Sequence, residues 1–447
     1  MRHFFIFFAA CCLLGLALVP TGLKGFSTPE TFEKKSLLFI ESLNAGTAGQ
    51  NPEVFNAQML AALQGFNLSQ FWQQLQSQLG PFEEVTRFVH QPGERFYTIL
   101  AVSKFKNAQV ALRLVYDQEQ KIAGMQVVEA PPLTFAPPPP YADTSRFAER
   151  NIVIDCGDIK LPGMLTMPKA THPVPVVVLV HGSGPHDMDQ TIGPNKPFRD
   201  IAWGLASKGI AVLRYEKRTK NQGASIDLNS ITPWTETGAD AMAAARLAAT
   251  LPGIDPKQVY VLGHSLGGML APKIAEKAGN LAGIIILGGN SGKLYDLVVR
   301  QLSHLAPIQD PDNRHGMKEM IEQTRQKASL IHQGKFSPNT PREETILNQP
   351  ASYWLYIKEY DQVQTAAALY IRILVLQGER DYQVDMQEFE GWKSGLKNHQ
   401  NTSFISYPGL NHLFFEGQGV SSPAEYNLSN NIDYRVIWDI AAWMKRE

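Results

Sequence analysis

The apolar run Val259-Tyr260-Val261-Leu262, which breaks into Gly263-His264-Ser265-Leu266-Gly267-Gly268 and continues as helix-forming residues 269–277, admits few folds. The run suits a strand buried on both faces, which belongs in a parallel sheet covered by helices. A turn from such a strand straight into a helix is too tight for side chains at its flanks. Glycines at 263 and 267 remove the β-carbons that would clash as the chain folds back. The residue between them is held at the tip with its hydroxyl exposed, at a helix N-terminus whose free N–H groups and dipole favour negative charge. A serine that merely caps a helix after a glycine turn reads the same way locally, so partners elsewhere in the chain must decide whether Ser265 is reactive.

The rest of residues 147–447 fits such a sheet. Residues 151–155 and 163–167 read as an opening pair of strands, and 174–181 as a continuous Val/Leu strand. Residues 198–208 and 235–251 read as helices. Further strands are expected at 211–215, 281–287, 371–376 and 403–407, with 434–445 as the closing helix. Alternation of this kind implies an α/β domain with a mostly parallel sheet, whose ligands sit at the carboxyl ends of the strands. Residues 290–370, polar and helical in pattern, interrupt the alternation and are expected to form a cap over that edge. Ahead of this domain, 27–129 reads as a small α+β domain, with helices at 32–43 and 71–79 and strands at 96–105, 109–116 and 121–128. Helices on one face of an antiparallel sheet resemble the cystatin-like or NTF2-like arrangement. The proline-rich residues 130–146 read as an extended linker between the two.

Residues 1–22 carry Arg2 and His3 and then an apolar stretch from 4 to 19, the pattern of a secretory signal. An uncleaved anchor is the alternative, and a lipoprotein box at Phe8-Ala9-Ala10-Cys11 ranks third. With the leader removed, the protein is expected to be exported and to carry no integral membrane domain. Of 3 cysteines, Cys11 and Cys12 lie in the leader, so Cys156 alone can build neither an intramolecular disulfide nor a clustered-cysteine zinc site. Lysine and arginine total 41 against 42 acidic residues, which provides no basic field for nucleic acid. The expected partner is a small molecule in a local pocket, with no metal or organic cofactor.

Serine needs a base, and His412 is the best placed histidine: it follows the last strand in Pro408-Gly409-Leu410-Asn411-His412-Leu413-Phe414. His264 neighbours Ser265 but should point away from it, and His181 ends a strand with a separate role. A carboxylate must orient the base, and Asp381 follows a strand and a glycine turn in Leu376-Gln377-Gly378-Glu379-Arg380-Asp381. Its rivals are Glu379, expected to pair with Arg380 in solvent, and Asp385, expected to cap a helix from Met386. Negative charge developing on a substrate oxygen needs two N–H donors. The Leu266 amide is one. Ser183, in the small-residue loop His181-Gly182-Ser183-Gly184, supplies the other. That loop lacks the Gly-Lys-Ser/Thr ending of a phosphate cradle.

Together, His181-Gly182-Ser183-Gly184, Gly263-His264-Ser265-Leu266-Gly267, Gly378-Glu379-Arg380-Asp381 and Asn411-His412, in the order Ser, Asp, His, make about 148–447 resemble a serine α/β-hydrolase. Bacterial esterases allied to the dienelactone hydrolase and prolyl oligopeptidase branches are the nearest in pattern. Arg214-Tyr215-Glu216-Lys217-Arg218-Thr219 is similar to their Tyr-Asp-Lys-Arg-Gly stretch but departs at Glu216 and Thr219. The resemblance implies cleavage of a carboxylic ester through an acyl-enzyme on Ser265. A peptidase or acyltransferase with the same motifs is the alternative, and a non-catalytic binding protein of this fold is the third reading.

Overall fold

The computed structural model describes residues 29–446 apart from 94, 132–134, 222–225, 228 and 309–313. The expected leader, 1–22, lies outside the described residues. By its contacts the chain divides after Pro132 into two compact units.

In the first unit, strands β1 (Phe82–Pro92), β2 (Tyr97–Phe105), β3 (Gln109–Tyr116) and β4 (Ile122–Glu129) form an antiparallel sheet in that order. The helices Pro29–Asn44 and Leu68–Leu79 pack on one face of it. Phe32, Phe39, Ile40 and Leu43 recur at helical spacing and bury against Ile99, Ala101 and Leu114, which alternate along their strands. Asn67 caps the second helix by accepting a bond from the Gln70 amide at 3.0 Å. This is the α+β arrangement expected from the sequence, with β1 added at the edge.

The second unit holds an eight-stranded sheet: β5 (Phe147–Asp155), β6 (Lys160–Pro168), β7 (Val174–Val180), β8 (Ala211–Tyr215), β9 (Ile254–His264), β10 (Gly283–Leu287), β11 (Arg372–Gly378) and β12 (Thr402–Tyr407). Their spatial order is β12-β11-β10-β9-β7-β8-β6-β5. The six strands from β12 to β8 run parallel, and β6 and β5 continue the sheet antiparallel. Leu-, Ile- and Val-rich side chains fill both faces, as a sheet sandwiched by helices requires. After β7 the chain turns one way to β8 and then back across to β9 on the other side. The crevice outside their carboxyl ends is therefore the switch point where ligands bind in open α/β sheets.

Residues 290–370 form helices Leu294–Leu305, Arg314–His332, Ala351–Glu359 and Gln362–Ala367 between β10 and β11. The base of this insertion is pinned by Glu388 of the helix Met386–Gly395, whose carboxylate accepts from the amides of Ser291 (2.7 Å) and Gly292 (2.5 Å). Lys293 Nζ donates to the carbonyls of Lys358 and Tyr360, each at 2.7 Å, closing the end of another helix of the insertion.

Two expectations need revision. The helix expected at 235–251 opens with a π-helical turn, Trp234–Gly238, before the α-helix Ala239–Ala248. In addition, residues 135–146, expected as part of an extended linker, belong to the second unit: Ala136 is buried, its amide donates to the Pro194 carbonyl at 2.8 Å, and Tyr141 donates to the Ile432 carbonyl at 2.8 Å. Prolines leave backbone carbonyls free to accept such bonds, and Arg199 donates to that of Ala136 at 3.1 Å.

Candidate active site

The β9 turn has the geometry its glycines require. A Cβ on Gly263 would sit 2.1 Å from the Gly267 carbonyl oxygen, and one on Gly267 would sit 2.3 Å from that of Val180. Between them Ser265 adopts φ 55° and ψ −117°, a conformation costly for a side-chain-bearing residue and sustained only because its surroundings fix it. Its amide donates to the Leu287 carbonyl at 3.0 Å, anchoring the tip to the end of β10. Helix Leu266–Ala278 starts immediately afterwards, so the amides of its first turn, Leu266 included, have no carbonyl of their own helix to bond.

His412 lies in the loop after β12. Asn411 shapes that loop: its Oδ1 accepts from the amides of Leu413 (3.0 Å) and Phe415 (3.1 Å). The side chains of Leu413, Phe414 and Phe415 are buried, which anchors the loop in the core. Buried Asp381 accepts a bond from His412 Nδ1 at 2.7 Å on Oδ2. Its Oδ1 accepts from the amides of Gln383 (2.8 Å) and Val384 (2.9 Å), and Oδ2 also accepts from Gln377 Nε2 at 3.2 Å. The carboxylate is saturated, and its bond to Nδ1–H leaves Nε2 as the basic nitrogen of His412. Gly288, at the end of β10, lies under the pair: a Cβ there would meet Asp381 Oδ2 at 3.4 Å and His412 Nδ1 at 3.5 Å.

The loop after β7 abuts the serine. Gly182 is so close that a Cβ on it would lie 3.2 Å from Ser265 Cβ. Ser183 follows it and is exposed. Sequence reasoning missed what holds this loop. The Gly182 amide donates to Gln190 Oε1 (3.0 Å), Gln190 Nε2 donates to His264 Nδ1 (2.9 Å), and His264 Nε2 donates to the His412 carbonyl (2.9 Å). Thus His264 is a buried relay joining the β7 loop to the β12 loop. Burial, followed by the neighbouring His412, holds its pKa well below the usual histidine value, which keeps the ring neutral and able to accept at Nδ1. His181 is likewise buried and depressed, its Nε2 donating to the Asp187 carbonyl at 2.9 Å.

Asp385 caps the helix Met386–Gly395 as expected, accepting from the Gln387 amide at 3.1 Å. The expected Glu379–Arg380 pair does not form. Arg380 turns inward to pair with Glu425 and donates to the Gly419 carbonyl at 3.0 Å, while Glu379 accepts from the Ser406 hydroxyl at 2.8 Å. A guanidinium satisfies several loop carbonyls at once, which a solvent pair with its neighbour would forgo.

The fold and this crevice define a class: residues 177–427 match the alpha/beta hydrolase family, and the chain belongs to that family. Residues 36–125 match a second family, described as protein of unknown function (DUF3887). Among individual proteins, the chain is 34% identical over 413 residues to esterase EstD of Thermotoga maritima, covering 92% of this chain and 95% of that one. Solved structures similar to it include Est1E from Butyrivibrio proteoclasticus, with 17% identity, TM-score 0.43, and coverage of 66% of this chain and 97% of that one. Another is the Pyrococcus horikoshii acylaminoacyl peptidase, with 15% identity, TM-score 0.45, and coverage of 80% and 49%.

Proposed function

We propose that the protein is a serine carboxylic ester hydrolase in which Ser265 is the nucleophile, His412 the general base and acid, and Asp381 the residue that orients the base. The observation that carries this reading is the 2.7 Å contact from His412 Nδ1 to a saturated, buried Asp381, in loops that adjoin the strained Ser265 turn. The 34% identity to an esterase over nearly the whole chain supports ester chemistry.

In this mechanism Ser265 Oγ attacks the acyl carbon while His412 Nε2 takes its proton. The resulting oxyanion accepts hydrogen bonds from the amides of Leu266 and Ser183. His412 then returns the proton to the departing alcohol, leaving an acyl group on Ser265. Water, giving its proton to His412, attacks that acyl group; the carboxylic acid leaves and Ser265 recovers its proton.

Turnover of p-nitrophenyl acetate and butyrate by the wild type and by Ser265→Ala tests the assignment. Loss of at least about 10³-fold in kcat is expected for the variant. Equal turnover by both proteins rejects Ser265 as nucleophile. Running the corresponding p-nitroanilides at the same enzyme concentration separates an esterase, which leaves them largely intact, from a peptidase.

A further inference from the structure

Lys217, in the stretch after β8 that resembles the family's Tyr-Asp-Lys-Arg-Gly run, is one of the largest fully buried side chains in the protein. Its ammonium pairs with Glu236 Oε1 at 2.7 Å and donates to the Gly182 carbonyl at 2.9 Å. Its own amide donates to the His186 carbonyl at 3.0 Å, so backbone and side chain both grip the β7 loop. Glu236 comes from the π-helical turn Trp234–Gly238, and Tyr353 of the insertion brings a buried hydroxyl to the side chains of Glu236 and Ser183.

Burying an ion pair is costly in water-excluded surroundings, and apolar residues of similar volume often serve stability as well. The position of this cation indicates another role. The Gly182 carbonyl and the Ser183 amide belong to one peptide unit, and that unit is trans. Fixing the oxygen on Lys217 therefore turns the Ser183 N–H to the opposite side. Gly182 has no side chain to hold its own orientation. Its amide is tied to Gln190 on one side and its carbonyl to Lys217 on the other, which leaves the 182–183 peptide no free rotation. A positive charge on the carbonyl oxygen also polarises the unit and strengthens its N–H as a donor.

We infer that Lys217, held by Glu236, is a positioning residue that aims and polarises the Ser183 amide toward the oxyanion formed at Ser265. The inference rests on the assignment of that amide as an oxyanion donor. Lys217 does not touch the reacting atoms; it acts through one peptide bond. Its contribution is expected only when negative charge develops, so it should appear in kcat and not in KM.

The test compares full-length wild type, Lys217→Met and Lys217→Met/Glu236→Leu for p-nitrophenyl butyrate turnover, thermal stability and inhibition by a trifluoromethyl ketone, whose serine adduct carries the oxyanion. Lys217→Met leaves Glu236 buried without its partner, and the double variant removes that defect. Both variants are expected to lose kcat by about 10-fold or more with KM changed less than about 3-fold, and to lose ketone affinity in proportion to kcat/KM. The double variant is expected to recover stability without recovering kcat. Should Lys217→Met fail to fold, the double variant alone decides. A double variant with wild-type kcat and ketone affinity overturns the inference while leaving Ser265 chemistry intact. Absence of turnover in the wild type itself would instead remove the reading on which the inference depends.

Discussion

Asp381 accepts four hydrogen bonds, two from main-chain amides of its own loop, one from Gln377 and one from His412. It can therefore neither rotate nor give up the His412 contact without stranding buried donors. Replacing it with asparagine keeps the shape but places an N–H group in a site built from donors. Whichever way the amide turns, a donor is left facing one, and the relief at His412 is to move its proton to Nε2. That is the wrong tautomer for a base acting on Ser265, so Asp381→Asn is expected to lower kcat by about 10⁴-fold with a small change in KM. Steady-state kinetics checks this, and a loss below about 10-fold would mean that His412 does not depend on Asp381. Ser265, Asp381 and His412 could be named as candidates from the sequence because each is a chemically apt residue in a turn or loop that follows a strand. The contacts of Gln190, Gln377 and Lys217 were not legible: a glutamine in a loop or near a strand end carries no sign of its partner, and the 214–219 stretch, though recognisable, does not say where Lys217 points. Only the fold shows that Gln190 joins Gly182 to His264, or that Lys217 points at a carbonyl instead of at water.

At the scale of elements, the strands that alternate or run uniformly apolar emerged close to where their patterns placed them, β3 and β8 residue for residue. Strand β1 did not, and its register explains why. Irregularities between Phe82 and Glu84, and again between Val85 and Arg87, leave its larger apolar residues Phe82, Val85 and Phe88 three apart instead of two. It is also an edge strand and carries charges and a terminal proline, features that protect an exposed edge and mask a strand in sequence. The π-helical turn at Trp234–Gly238 was invisible for a different reason. Alanine-rich sequence favours ordinary helix from about 239 onward, and the wider turn before it belongs to a segment whose Glu236 reaches Lys217. In the β9 turn the two levels coincide: the glycines visible in sequence are those whose β-carbons the backbone excludes.

For the molecule as a whole, buried and partly buried neutral histidines contribute to the acid side of stability. His181 and His264 are held well below the usual histidine pKa by burial, and His186 is lowered to about 4 for the same reason. Between those values and about 6.5 the unfolded chain takes up protons that the folded chain refuses, so each group's contribution is complete above about 6.5 and lost as pH falls, by about 1.4 kcal/mol per pH unit. Asp200 acts in the opposite sense: burial raises it to about 6, so its folded form binds a proton more readily than the unfolded form and offsets one of the three histidines at pH 4–6. The net sign remains destabilising on acidification. Urea denaturation at pH 5 is expected to show a lower midpoint than at pH 7, and an equal or higher midpoint would mean that the three rings are not held neutral by the fold. All these groups lie in the second unit, which also contains every residue assigned to the reaction.

The account depends above all on a covalent bond between the acyl group and one serine. Rapid-quench mass spectrometry during turnover of p-nitrophenyl butyrate, with the modified peptide sequenced, measures that bond directly. A butyryl group on Ser265, formed in a burst that matches p-nitrophenol release and absent from Ser265→Ala, is the predicted result. Undiminished turnover with no acylated Ser265 peptide, or with the acyl group on another residue, would contradict it.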